Sequence, residues 1–215
     1  MRLIDTHTHL YLKEFEKDFE QVLQRARNVG VEKFYLPCID STVIEDMLKL
    51  EMLYSQEFFP MMGLHPCSVK ENYLEELKIV EEYLSKRKFA AAGEIGLDFY
   101  WDTAFKNQQF EAFNKQMEMA LQYKLPIVIH TRNAMRETID AVKPFAAKGL
   151  RGIFHCFGDN YETAKEITDI GFHLGIGGVL TYKNAKIAEA IKDIPLDRIV
   201  LETDAPYLIP GSIQG

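Results

Sequence analysis

The chain has 215 residues, of which 47% are hydrophobic and 27% charged, and its formal net charge is −7. This length and composition suit one globular domain with one core, so we predict a single domain over residues 1–215. The negative charge argues against a protein that coats nucleic acid by bulk electrostatics, although bound cations at a local site could offset it.

Short apolar runs alternate with longer amphipathic segments along the chain. Apolar residues three and four positions apart predict helices, for example over 15–26 and 110–121, and Gly30, Gly149 and Gly171 fall where such helices should end. Near-continuous apolar sequence suits strands buried on both faces of a parallel sheet. Such runs predict strands at residues 3–4, 33–36, 58–62, 90–93, 127–129, 152–154, 172–175 and 199–201.

Eight strands, each entered from a helix, favour a (β/α)8 barrel, that is, an α/β TIM barrel. An open doubly wound sheet is the alternative, but a dinucleotide-binding sheet would need a Gly-rich turn after its first strand, where His7 and His9 stand instead. After the eighth run only residues 203–215 follow, which is too short for an eighth helix. We therefore expect a barrel whose last outer helix is missing from this chain.

His7 and His9 follow the first predicted strand. Side chains two apart on an extended strand face the same way, so the two imidazoles converge at the strand end, as a transition-metal site requires. Five of the six histidines stand at predicted strand ends, which is where barrel enzymes gather their functional groups. The other candidate groups at strand ends are His65, Glu94, Asp98, His130, Arg132, His155, Glu202 and Asp204.

Several carboxylates and imidazoles in one cavity would be costly to bury without cations. The sequence therefore predicts two divalent metal ions, Mg²⁺, Mn²⁺ or Zn²⁺, bridged by Glu94 from the middle of the barrel. We expect His7, His9 and Asp204 to bind the first ion, because the first and eighth strands are neighbours in a closed barrel.

His130 and His155, from the adjacent fifth and sixth strands, are expected to bind the second ion. Two metals ~3.5–4 Å apart would activate a shared water and clamp the attacking and leaving oxygens of a displacement at phosphorus. Asp204 is expected to take the proton from that water. We therefore assign catalytic roles to Asp204 and Glu94.

Five further residues are expected to act around the metals, as outer supports or as substrate contacts. His65 and Asp98 would contact substrate, bound water or the neighbouring loop, and Glu202 would orient a ligand histidine. Arg132 and Lys183 would neutralise a phosphate. Tyr100 and Trp101 follow Asp98, and such rim aromatics either stack on unpaired bases or simply pack the loop.

As a set, these residues resemble the TatD family of metal-dependent deoxyribonucleases. The matching stretches run in family order through almost the whole chain, at residues 5–10, 63–66, 93–98, 130–134, 155–157, 177–185 and 202–207. The resemblance implies a (β/α)8 barrel and hydrolysis of DNA phosphodiesters supported by magnesium or manganese. The implied metal ligands are His7, His9, Glu94, His130, His155 and Asp204. Residues 210–215 depart from the family, whose members continue into a further loop and a last helix.

We expect single-stranded or frayed DNA ends as substrate, because a net-negative protein with a recessed pocket cannot easily grip a duplex. The same metals would serve a D-aminoacyl-tRNA deacylase, with tRNA as partner, or a small-molecule lactonase or phosphoesterase. An inactive metal-binding scaffold is the non-enzyme alternative.

Sparse cysteines and the lack of a membrane-length apolar stretch lead us to expect a cytoplasmic protein that contacts no membrane. We also expect the chain to be a monomer.

Overall fold

The computed structural model describes residues 1–211, which contain eight parallel strands. Each strand pairs in parallel with the next one along the chain, in the groups β1-β2-β3 and β4-β5-β6-β7-β8. Their bounds are β1 Leu3–Asp5, β2 Val31–Leu36, β3 Phe58–Pro60, β4 Ala92–Asp98, β5 Ile127–Arg132, β6 Gly152–Phe154, β7 His173–Ile176 and β8 Ile199–Leu201.

Two contacts join the two groups of strands into a closed ring. Met62 forms a parallel bridge with Ala92, which joins the end of β3 to β4. The Thr6 amide donates to the Leu201 carbonyl oxygen at 3.0 Å, which joins β8 to β1. The barrel prediction is therefore confirmed, and the open doubly wound sheet is excluded.

Helices connect the strands on the outside of the barrel. They are α1 Phe19–Asn28, α2 Ile44–Leu53, α3 Tyr73–Lys86, α4 Lys106–Tyr123, α5 Met135–Ala146, α6 Tyr161–Asp169 and α7 Ile187–Ile191. The glycines predicted to end helices adopt left-handed backbone, with φ of 96° at Gly30, 98° at Gly149 and 90° at Gly171. After β8, the described residues 202–211 contain no helix.

Several element boundaries differ from those that the apolar runs predict; for example, β5 continues past the predicted end at Ile129 to Arg132. The first helix begins at Phe19 rather than at Phe15, which lies in a preceding 3₁₀ turn. β4 continues to Asp98, well past the predicted end at Gly93, and all seven of its residues are buried. The apolar pattern ends early because two of those buried residues, Glu94 and Asp98, are acidic.

Apolar side chains fill the space between the barrel and its helices. One cluster, which includes Leu23, Phe34 and Phe58, packs around the first three strands. A second, which includes Ile129 and Phe154, packs around β4–β8.

A third, small cluster lies inside the barrel, where Tyr35 packs against Met61 and Val128. It borders a cavity of about 550 Å³ lined by residues from five strands and from the segments that enter β4 and β5. Among the described residues, no helix is both long and apolar enough to cross a bilayer.

Candidate metal centre

The ends of β1 and β8 are tied together directly beside the predicted ligands. The Asp5 carboxylate accepts from the His7 amide at 3.3 Å and from the Thr203 amide and hydroxyl at 3.0 and 2.7 Å. The Asp204 amide donates to the His7 carbonyl oxygen at 2.8 Å. Burial raises the pKa of Asp5 to about 6. This clamp brings His7 and Asp204 together from opposite ends of the chain.

Glu94 lies at the centre of the site, and its two carboxylate oxygens face different imidazoles. Its Oε2 is 3.1 Å from His7 Nε2 and 3.9 Å from His9 Nε2. Its Oε1 is 3.1 Å from His130 Nδ1 and 3.7 Å from His155 Nε2. The carboxylate therefore has one pair of imidazoles on each side, which is the arrangement that a bridging group needs.

Asp204 lies near both imidazoles of the first pair, His7 and His9, and near His155 of the second pair. Its Oδ1 is 3.6 Å from His7 Nε2 and 3.5 Å from His9 Nε2, and its Oδ2 is 3.9 Å from His155 Nε2. Its backbone is left-handed, with a φ of 55°. The structure thus brings together the side chains of all six residues that the sequence predicts as ligands.

The tautomer of His9 follows from its contact with Tyr11, a residue that the sequence reasoning missed. The Tyr11 hydroxyl donates to the Pro37 carbonyl oxygen at 2.6 Å, so its oxygen accepts from His9 Nδ1, 2.8 Å away. Burial lowers the pKa of His9, which favours the neutral ring. His9 therefore presents the lone pair of Nε2 to Glu94 and Asp204. The sequence signal was a tyrosine two positions after His9.

His130 lies between two carboxylates. Its Nε2 is 2.8 Å from Asp98 Oδ2, and its Nδ1 is 3.1 Å from Glu94 Oε1. Burial opposes a charged ring, but the hydrogen bonds to Asp98 and Glu94 outweigh it and raise the pKa of His130. A cation, either a proton or a metal ion, is needed between Nδ1 and Glu94, because a neutral ring that donates to Asp98 has only a lone pair on Nδ1.

Glu202 supports His155 from deeper in the barrel. Its Oε1 accepts from the Cys156 amide at 2.6 Å and lies 3.0 Å from His155 Nδ1, although the ring and the carboxylate are not aligned as a hydrogen bond. Burial opposes the charge on His155, but Glu202 and Glu94 raise the pKa of its ring to about 10. Gly175 leaves room for the carboxylate, since a Cβ there would lie 2.3 Å from Glu202 Oε2. The expectation that Glu202 positions a histidine thus has a structural basis.

His65 lies beside the cluster, in a different role from the other histidines. Its Nδ1 accepts from the Cys67 amide at 3.1 Å, and burial lowers the pKa of the ring. The neutral ring therefore carries its proton on Nε2, which lies 3.6 Å from Glu94 Oε1. This places His65 as a donor toward Glu94 rather than as a lone-pair ligand, consistent with the supporting role that the sequence suggested.

The two predicted phosphate-neutralising cations lie outside the cluster. The Arg132 side chain is exposed and its guanidinium lies over the Tyr100 ring, 3.8 Å from the centroid. Lys183 is exposed, and within residues 1–211 its side chain makes no hydrogen bond or ion pair with the cluster. Asp98 binds the loop backbone, as one of its expected alternatives stated, by accepting from the amides of Tyr100 and Trp101.

The cluster as a whole fits divalent metal ions. His7 Nε2 lies 3.1 Å from Glu94 Oε2 but is buried without a hydrogen-bond partner, a costly state unless a cation binds there. Burial alone would raise the pKa of Glu94, yet the imidazoles of His7, His65 and His155 hold it well below its usual range. Imidazole and carboxylate donors suit zinc and similar ions. Within residues 1–211, the groups whose ligand atoms lie within 4.8 Å of one another are His7–His155–Asp204, His7–His9–Glu94, His65–Glu94–His130 and His155–Cys156–Glu202.

Residues 4–215 match the family model described as TatD related DNase. The chain belongs to the TatD family. YabD of Bacillus subtilis strain 168, named as a metal-dependent hydrolase, is 36% identical over 99% of this chain and 84% of its own length. YcfH of Escherichia coli K12, named in the same way, is 31% identical over 100% of this chain and 82% of its own length.

Solved structures of the TatD family share the fold. The crystal structure of YjjV, a TatD homolog from Escherichia coli K12, matches with a TM-score of 0.92 at 30% identity and covers 100% of this chain and 83% of that one. The TatD family hydrolase from Entamoeba histolytica matches with a TM-score of 0.83 at 25% identity, covering 96% and 75%. The protein described here is therefore a metal-dependent hydrolase with a TatD-type barrel.

Proposed function

We propose that this TatD-family hydrolase cleaves DNA phosphodiester bonds at single-stranded or frayed ends, with two divalent metal ions. The observation that carries the proposal is the position of Glu94, whose two oxygens face separate pairs of imidazoles at 3.1 to 3.9 Å. Paired ions on either side of such a carboxylate are typical of enzymes that displace groups at phosphorus. The family description as a DNase points to the same bond.

The roles of the six central residues follow from which atoms face one another. His7, His9 and Asp204 Oδ1 would hold one ion, and His130 Nδ1 and His155 Nε2 would hold the other, with Glu94 between them. When bound, the ions would supply positive charge that stabilises the phosphate and acidifies water. Asp204 would accept the proton of the attacking water at Oδ2, the oxygen that faces away from His7 and His9.

The charge of the chain favours single-stranded ends over duplex DNA. In the described part of the chain, no lysine or arginine forms an ion pair with the clustered carboxylates, and the net charge is −7. A protein with a negative net charge gains little from the two phosphate backbones of a duplex. A single flexible strand can place one phosphate in a recessed site without bringing a second backbone against a net-negative protein.

The test compares Glu94→Gln with Glu118→Gln, the same chemical change on an exposed position of α4. We expect Glu94→Gln to lose metal and to cut single-stranded DNA more than about 100-fold more slowly, because even outer supports of a metal typically contribute about 10–100-fold. Glu118→Gln should match the wild type in both. Metal content by mass spectrometry and end-labelled DNA digestion with Mg²⁺, Mn²⁺ or Zn²⁺ would measure these effects.

The same assay separates the rival substrates. Wild-type protein with each metal is offered single-stranded DNA, blunt duplex DNA, D-aminoacyl-tRNA and a lactone. Fastest turnover of single-stranded DNA supports the proposal, whereas hydrolysis of the tRNA ester or the lactone alone contradicts the phosphodiester assignment. Bound metal with no turnover of any substrate would indicate the inactive scaffold.

We also propose a reducing, cytoplasmic location for the reaction. Cys38, Cys67 and Cys156 are all free thiols in the structure, and this is the state expected of cysteines in a reducing compartment. The monomeric state stays a prediction.

A further inference from the structure

The loop after β4 carries two exposed aromatic side chains on a fixed backbone. Tyr100 is 51% exposed and Trp101 is 68% exposed. The Asp98 carboxylate accepts from both of their amides, at 2.9 and 3.2 Å. Gln109 of α4 holds the backbone of Asp98 in turn, by accepting from its amide at 2.9 Å and donating to its carbonyl oxygen at 3.0 Å. Large aromatic surface that is held in place yet left in water is typical of a binding surface.

Arg132 of β5 joins the two rings. Its guanidinium carbon lies 3.8 Å from the Tyr100 ring centroid and 5.2 Å from that of Trp101. The two rings meet edge to face, with centroids 4.8 Å apart and an interplanar angle of 87°. We call Tyr100, Trp101 and Arg132 the stacking platform. Because Arg132 covers the Tyr100 ring, Trp101 offers the larger free surface.

The stacking platform is attached to the metal centre through one carboxylate. Asp98 Oδ1 holds the amides of Tyr100 and Trp101, while Asp98 Oδ2 lies 2.8 Å from His130 Nε2. Arg132 also stands two residues after His130 on the same strand, so their side chains share one side of β5. The platform therefore adjoins His130, one of the predicted metal ligands.

We propose that one unpaired nucleobase of the DNA strand stacks on Trp101, with Arg132 beside the phosphate next to it. This rests on the proposed function and deepens it, because it names what the enzyme recognises besides the phosphodiester. Every base has a π face, so stacking tolerates any sequence. A base inside a duplex is already stacked and paired, so the platform selects for unpaired bases.

Binding can be measured directly, because Trp101 is the sole tryptophan of the chain. The probes are a short thymidine strand with uncleavable phosphorothioate linkages and a matched strand in which abasic residues replace the nucleosides. Both strands carry the same charge. We expect the thymidine strand to quench the fluorescence of Trp101 and to bind about 5- to 150-fold more tightly than the abasic strand, as one base–aromatic stack would give.

Kinetics of three variants supply a second readout. Trp101→Ala should raise KM for single-stranded DNA about 5- to 150-fold with kcat nearly unchanged, while Trp101→Phe, which keeps a ring, should restore most of the affinity. Leu196→Ala removes an exposed apolar side chain before β8, at the opposite end of the barrel, and should leave KM unchanged. Metal content should equal that of the wild type in all three variants.

The proposal is overturned if both strands quench and bind alike, or if Trp101→Ala keeps the wild-type KM at full metal content. A Trp101→Ala variant that loses metal would show that the loop supports His130 rather than a base, which also contradicts the proposal. The outcome differs from a failure of the proposed function. If the wild type hydrolyses no DNA but the thymidine strand still quenches Trp101, the stacking platform is supported and the nuclease assignment is wrong.

Discussion

The two ends of this barrel are built from the same strands but bury opposite kinds of side chain. At the carboxyl ends of the strands, buried Glu94, Asp98, Glu202 and His7 crowd together. Toward the amino ends of β1, β4 and β5, apolar groups such as Leu3, Ala91 and Val128 border a cavity of about 550 Å³, together with Met61 just after β3. One face carries charges that are costly to desolvate, and the other carries hydrocarbon that is favourable to bury.

This contrast shows where stability and function are separated in the molecule. Bringing buried carboxylates together without cations opposes folding, so the metal end gains little stability from its own contacts. The apolar end and the helix layer supply the stabilisation that holds the metal end in place. Variants at the apolar end should therefore change stability, and variants at the metal end should change metal binding and turnover.

The largest change in stability is expected from Met61→Ala. Met61 is 1% exposed and belongs to the cluster inside the barrel. Its truncation should lower the free energy of unfolding by about 2–3 kcal/mol, the low part of the range for buried methionine, because the side chain already borders a cavity. Metal content and turnover should stay at wild-type values. Denaturant unfolding, together with metal analysis of the folded protein, measures both.

Met52→Ala is the matched control for that variant. Met52 lies on α2 and is 74% exposed, so its truncation should change the free energy of unfolding by less than about 0.5 kcal/mol. If Met61→Ala instead reduced metal binding as strongly as it reduced stability, the two ends of the barrel would be coupled and stability would not be separate from function.

The next effect concerns Glu202→Gln at the metal end. Loss of the carboxylate charge should lower the pKa of the His155 ring from its value of about 10, because Glu202 is the main group that raises it. Metal affinity should fall about 10–100-fold, as for other groups that position a ligand. NMR titration of His155 in the metal-free protein reads the first change, and calorimetry reads the second. An unchanged His155 titration would show that Glu202 acts only on the backbone of Cys156.

The smallest effect is expected on the exposed surface, where Glu166 pairs with Arg136 and Lys143. Hydrogen bonds from these two cations lower the pKa of Glu166 to about 2. The two ion pairs of Glu166 therefore stabilise the fold at pH values above the ordinary glutamate pKa near 4.5. This contribution is lost as the pH falls through the native pKa of about 2. Solvent screening limits it to at most about 1 kcal/mol.

Comparing Glu166→Gln with Glu162→Gln, an exposed neighbour on the same helix, isolates this contribution. The difference in free energy of unfolding between the two variants should be present at neutral pH and shrink in acid. A stability difference that grows in acid would contradict the pH dependence expected from the lowered pKa of Glu166.

The alternation of apolar runs and amphipathic segments was enough to predict the barrel. Strand order needed no further information, because each strand pairs with its neighbour in the sequence. The prediction failed at β4, where the buried acids Glu94 and Asp98 continue the strand beyond the apolar run. A search for apolar runs treats every charged residue as exposed. It therefore misses strand ends where charged residues are buried because they form the functional site.

The candidate ligands could also be named in advance, because histidines and acids at strand ends must meet at one end of a barrel. Their tautomers and hydrogen-bond partners could not be predicted from the sequence. That His9 is held by Tyr11, that His65 accepts from the Cys67 amide and that Asp98 binds both His130 and the aromatic loop all depend on hydrogen bonds of single atoms. Sequence spacing does not fix such contacts.

The available residues and the strand on which each one stands could be read from the sequence, because periodicity along the chain sets the faces of strands and helices. That one oxygen of Glu94 faces His7 while the other faces His130 is visible only in the folded barrel. The closing of β8 on β1 also brings residues nearly 200 positions apart into hydrogen-bond contact, as Thr203 with Asp5, a separation of 198. The physical reason is that a metal centre depends on distances of a few ångströms between side chains, and those distances exist only once the ring of strands is closed.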